Sequence, residues 1–153
     1  LDILDFFCHM RSIGADVIGA SEINLDANHP FARQSLHRHR NQVWEHSRIA
    51  TSSSRVNFGT TRKPGGTLLG ITGNTTGRVI AEHSDKLGRF CAINPLGRLG
   101  RRITIISAYQ TPQNSSSAGI TTAHHQQVLQ LKNDGATYQH PPRQFCQALG
   151  NIL

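Results

Sequence analysis

The sequence predicts an α+β fold, and two observations carry that reading. Apolar residues recur at helical spacing near both ends of the chain, and short apolar runs of strand length, punctuated by glycine and proline, occupy its middle. The 153 residues show no internal repeat and no linker, so residues 1–153 read as one unit. A chain of this size buries roughly 70% of the surface it exposes when unfolded, enough for a real core.

Ile3, Leu4, Phe7 and Met10 share one helical face, Asp2 and Asp5 lie in the early turns, and Gly14 stands where a left-handed cap is wanted. Residues 1–13 therefore read as a helix. Residues 16–20 (D-V-I-G-A) read as a strand buried on both faces, closed by Ser21 and Glu22. Residues 27–63 hold few apolar positions and read mostly as loop, with a helix around 31–45. Pro64, Gly65 and Gly66 turn the chain into a strand at 67–72, and Gly73 and Asn74 turn it again into 78–82, a pair that reads as a hairpin. A further strand is expected at 89–94 and a turn at 95–100. Residues 102–108, with Ile103, Ile105 and Ile106, form the most apolar strand, which predicts a central place in its sheet. A helix near 121–134 has a thin apolar face, Val128 and Leu131. Pro141 and Pro142 open a last helix in which Phe145, Leu149, Ile152 and Leu153 share a side.

Hydrophobic residues make up 37% of the chain and charged residues 16%, which excludes disorder throughout. Sixteen Lys and Arg against nine Asp and Glu give a net charge of +7, a bias that suits a polyanion such as nucleic acid. The basic residues are spread, from Arg33 through Lys63 and Arg89 to Arg143, so a solvated surface explains them almost as well. Cys8, Cys91 and Cys146 are far apart, odd in number and set among apolar neighbours. They predict buried free thiols and a reducing, intracellular compartment, the nucleus included. No run reaches the roughly 18 apolar residues of a membrane span, and no signal peptide opens the chain, so no membrane partner is expected. No obligate protein partner is evident either. The chain starts at Leu1 inside one helical pattern and stops at Leu153 inside another, and both ends are expected to be cut.

Two residues stand out for chemistry. Glu22, at the mouth of an apolar strand, is either a solvated strand-end carboxylate or a ligand for a hard cation, since magnesium binds through one or two carboxylates plus phosphate oxygens. Tyr109 ends a buried strand and opens a polar loop containing Gln113 and Asn114; it is either a core tyrosine with a satisfied hydroxyl or a phenol that orients a phosphate. The nine histidines include the pairs His37 with His39 and His124 with His125, neither joined by Cys or Glu at zinc-site spacing. The pair Gly65 and Gly66 lacks the rest of a phosphate-binding loop, and no G-x-S-x-G elbow is present.

The segments A-D-V-I-G-A-S-E-I-N-L-D at 15–26, K-P-G-G-T at 63–67, L-G-R-F at 87–90, R-R-I-T-I-I-S-A-Y-Q at 101–110 and P-P-R-Q-F-C-Q-A-L at 141–149 follow in an order that resembles one family. It is the DNase-I-like endonuclease/exonuclease/phosphatase superfamily, in the branch found in non-LTR retroelements. The resemblance implies a four-layered α/β sandwich, two mixed sheets flanked by helices, here incomplete at both ends. It also implies phosphodiester hydrolysis with Mg2+ or Mn2+ and DNA as the partner. By position, Glu22 would hold the metal and Tyr109 would stand near the scissile phosphate, with Asn24 near the site and Gln113 or Asn114 contacting substrate. The family's first-strand asparagine, its G-D-x-N segment and its S-D-H segment are absent from this sequence. The chain by itself is therefore expected not to cut. A cellular phosphoesterase of the same superfamily and a non-catalytic remnant that keeps weak nucleic-acid binding are the alternatives.

Overall fold

The computed structural model describes residues 2–56, 59–111, 122–136 and 141–152, and it is a mixed α+β structure with two antiparallel three-stranded sheets. The first helix, α1 (Ile3–Ser12), begins where the Asp2 carboxylate accepts from the Leu4 N–H at 2.8 Å. It is followed by Gly14 at φ 67°, a left-handed conformation that costs glycine little. Next come β1 (Val17–Ser21) and α2 (Pro30–Val43), which starts on a proline whose missing N–H would have had no partner anyway. The Arg11 guanidinium donates to the carbonyl of Val43, a cation satisfying the C-terminal end of α2.

Strands β2 (Ser47–Ser52) and β3 (Thr67–Thr72) complete the first sheet in the order β1-β3-β2, with Ile18 opposite Gly70 and Arg48 opposite Ile71. The second sheet runs β4 (Val79–Ser84), β5 (Phe90–Pro95) and β6 (Ile105–Ala108) in sequence order. Two further helices follow, α3 (Ala123–Asn133) and α4 (Pro141–Gly150). No described helix is long and apolar enough to cross a membrane.

Burial follows the alternation of the strands. Leu69 and Ile71 of β3 face the second sheet and pack with Ala50, Val79, Cys91 and Ile93, with Ile105 beside them. Leu68, on the other side of β3, packs with Ile18 and with Phe7, Leu36 and Val43 from the helix pair. The Phe7 ring meets Trp44 edge-on at 5.3 Å. On the far side of the second sheet, Phe90 meets Phe145 of α4 at 6.4 Å. Arg89 bonds Asp85 at 2.8 Å and donates to the Pro141 carbonyl, so a buried ion pair fastens the start of α4.

Several expectations are corrected. Strand β1 is an edge strand and is buried on one face only: Ile18 is enclosed while Val17, Gly19 and Ser21 are exposed. Strand β6 is likewise an edge, and its isoleucines are only half-buried. Strands β3 and β4 do not form a hairpin; the 3-10 helix Gly73–Arg78 carries the chain from one sheet to the other. Residues 47–52, read as loop, are β2. Mixed sheets were expected, yet every pairing among the described strands is antiparallel. Cys8 and Cys146 are exposed; only Cys91 is buried, where desolvation pushes its thiol up to about 11. Lys63 and Arg89, counted with the spread basic residues, are enclosed and ion-paired, so neither faces a polyanion.

Lys63 and Asp26 form the most enclosed of these pairs, with side chains 2% and 4% exposed and charges 2.8 Å apart. The ammonium also donates to the Ser54 carbonyl at 2.7 Å. Removing one partner would leave a buried charge unopposed, which costs about 3–5 kcal/mol. We expect Asp26→Asn to lower urea-unfolding stability by about that amount, and Asp26→Asn combined with Lys63→Met to recover part of it. A double variant that recovers nothing would show that the unopposed Lys63 charge is not what Asp26→Asn costs.

Candidate functional site

Two edge strands, one from each sheet, lie side by side. The Ser107 hydroxyl of β6 donates to the Ala20 carbonyl of β1 at 3.3 Å. The backbone N–H of Tyr109 donates to the Arg89 carbonyl at 2.7 Å, which fixes the residue just beyond the end of β6. Glu22 follows the end of β1. The two strands thus finish together, and the Tyr109 hydroxyl donates to Oε1 of Glu22. These residues are 87 positions apart and were singled out separately in the sequence.

The backbone of Glu22 is left-handed, with φ 54°, and Asn24 repeats this at φ 53°. Such conformations cost a non-glycine residue about 1–3 kcal/mol and persist where the surroundings hold them. Here the surroundings are the glycine turn. Ile23 and Asn24 donate their N–H groups to the carbonyls of Gly66 and Gly65, and Oδ1 of Asn24 accepts from the Gly65 N–H at 3.1 Å. Gly66 sits at φ 83°, and a Cβ on it would stand 3.0 Å from the Ser52 carbonyl oxygen and 3.1 Å from the Ile23 side chain. The Gly-Gly turn is therefore needed for close approach, and it shapes the loop that presents Glu22.

Beneath this loop lies a buried polar floor. Asp26 donates its N–H to Thr61, Ser53 bridges Leu25 and Ala27, and Lys63 reaches under both to Asp26. From α3, Gln126 accepts from the Ser54 hydroxyl at 2.6 Å, and Gln127 accepts from Thr111 at 3.3 Å. Sequence reasoning missed Asp26, Lys63 and Thr111 as support, since charged and polar residues are expected outside. For Asp26 and Lys63 the available signal was their presence inside the quoted N-L-D and K-P-G-G-T segments; Thr111 lies just past the quoted segment that ends at Gln110.

Asn24 is brought beside Glu22 with its carboxamide oxygen engaged on the backbone. Gln113 and Asn114 lie outside the described residues. Among the described residues, no group of three or more His, Cys, Asp or Glu side chains gathers around a point where a metal ion could sit. Glu22 is exposed and offers a carboxylate to solvent. A hard cation such as magnesium takes one or two protein carboxylates and fills its shell with waters and phosphate oxygens, so Glu22 fits that role as one donor.

Burial pushes the Tyr109 phenol up to about 12, helped by its hydrogen bond to the Glu22 carboxylate and by that group's negative charge. At neutral pH Tyr109 is therefore a proton-holding donor. No family model matches the chain, and no curated protein matches it significantly.

Because the folded pKa is raised, the protonated pair is favoured below the unfolded value of 10.0 and lost as pH rises towards about 12. In a Tyr138→Phe background, carbon-13 NMR of labelled tyrosine should place the ionisation of Tyr109 near 12. Glu22→Gln should bring it down by removing the repelling charge. An unchanged midpoint would mean the two side chains are not coupled.

Proposed function

We propose that the chain is part of a divalent-metal-dependent phosphodiesterase of the DNase-I-like endonuclease/exonuclease/phosphatase superfamily, the DNA endonuclease domain of a retroelement. The observation that carries this reading is the hydrogen bond joining Glu22 to Tyr109 across the ends of two strands in different sheets. A second support is the layering, with α1 and α2 packed outside the first sheet and α4 outside the second, the two sheets enclosing a core between them. That is the arrangement expected of a four-layered sandwich. The contact between S-E-I-N and K-P-G-G-T also joins two segments on which the resemblance rests.

In this reading Glu22 holds Mg2+ or Mn2+. Bound there, the cation supplies Lewis-acid polarisation of a phosphoryl oxygen and a template for the substrate. Tyr109 keeps its proton and orients either the Glu22 carboxylate or a phosphate oxygen, a hydrogen bond to a charged group being worth about 1.5–3 kcal/mol. The Asp26–Lys63 pair and the glycine turn keep the Glu22 loop in place. Activation of water and stabilisation of the pentacoordinate phosphorus fall to the G-D-x-N and S-D-H segments, which this sequence does not contain.

Joined to flanking sequence that supplies those segments, the domain should nick supercoiled plasmid in magnesium. Glu22→Ala should lower nicking about 100-fold or more, at least what disturbing a metal's supporting shell costs. Tyr109→Phe should lower it about 10- to 100-fold. Unchanged nicking by Glu22→Ala would overturn the assignment of Glu22.

A further inference from the structure

The opposite end of the second sheet carries a different feature. Between β5 and β6 the chain makes a tight hairpin, in which the Gly97 N–H donates to the Arg101 carbonyl at 2.7 Å and Leu96 pairs with Arg102. At its tip Leu99 is 88% exposed. Leu99 is also left-handed, at φ 60°, where a turn shaped by stability alone would carry glycine or asparagine. Arg98, Arg101 and Arg102 surround it and are exposed. Arg78 joins them, since its carbonyl accepts from the Leu96 N–H at 2.8 Å. None of the four arginines forms an ion pair with a described residue. Asp16 and Glu45 lie toward the same end of the molecule without pairing with them; Glu45 faces His46.

We propose that this hairpin is a second nucleic-acid contact, gripping the phosphodiester backbone of duplex DNA away from the Glu22–Tyr109 pair, and it rests on the reading of DNA as the partner. All four cations are arginines, whose planar forks bond phosphate oxygens two at a time. The end of a two-stranded ribbon fits a DNA groove, and an apolar tip among cations is the form of a side chain that wedges between base steps. One leucine is a poor membrane anchor, because stable anchoring takes more than one such signal. Arg102 precedes Tyr109 by seven residues, roughly 23 Å at about 3.3 Å per strand residue. A duplex lying along the β6 edge would span both places in roughly seven base pairs at about 3.4 Å each.

The test is binding of a fluorescent duplex DNA to the chain, by anisotropy, across a salt series without divalent cation. Replacing Arg98, Arg101 and Arg102 by alanine should flatten the plot of log affinity against log salt by about 2.7, near 0.9 for each lost phosphate contact. The equally discharged Arg33, Arg38 and Arg40 alanine variant, altered on α2, should flatten it far less. Leu99→Gly should weaken binding with the slope unchanged. The proposal is overturned if both triple variants lose the same slope, which would leave only net charge. It is also overturned if the hairpin variant keeps full DNA binding while losing attachment to phosphatidylserine vesicles. Because the salt series contains no divalent cation, it reads the hairpin without the metal site, whereas magnesium-dependent nicking by Glu22→Ala reads the metal site without the hairpin, so the two failures are distinguished.

Discussion

Strand β3 has no side that faces water, and both layers of the molecule are built on that constraint. Its odd and even residues face opposite ways, so Leu68 must find the helix pair while Leu69 and Ile71 must find the second sheet. Fully burying each such side chain contributes about 1.5–3 kcal/mol. Gly70 permits the closeness on the helix side, where a Cβ would stand 2.7 Å from the Ile18 side chain. With β3 central, β1 and β2 become edges of its sheet. The packing of the second sheet against it then sets β1 beside β6.

The candidate site follows from that placement. Two edge strands finish at the same end of the sandwich, one closing on Glu22 and the other on Tyr109, and neither residue would meet the other if the sheets slid by one residue. Local backbone strain at Glu22 and Asn24 is held by the glycine turn above and by the buried Asp26–Lys63 pair below. A charged pair in such a position is weak evidence of stability, but it ties two loops to one geometry. The site is thus rigid where it supports Glu22, and the carboxylate itself stays open to solvent.

Much of this was legible in the sequence, for identifiable reasons. Helix α1 declared itself by spacing and by Asp2 and Gly14, and β3 by an unbroken apolar run with a Pro-Gly-Gly turn before it. Strand β2 did not, because S-R-I-A-T-S offers only Ile49 and Ala50 to its two cores. The Gly73–Asn74 signal resembled a hairpin, yet Val79 belongs to the core between the sheets, so the chain crosses instead of turning back. The isoleucines of β6 suggested a central strand; composition reports apolar surface to be covered, and says nothing of which neighbour covers it. Glu22 and Tyr109 were each visible at a strand end. Their meeting depends on two sheets packing, which no local pattern encodes.

The proposed role of Glu22, holding a divalent cation beside Tyr109, is tested most directly by paramagnetic Mn2+. In chain labelled with carbon-13 at tyrosine, with Tyr138→Phe to leave one phenol, Mn2+ should broaden the Tyr109 ring signals at low equivalents. Glu22→Gln should abolish that broadening. Broadening of histidine signals alone, with Tyr109 sharp and the pattern unaltered by Glu22→Gln, would contradict that role.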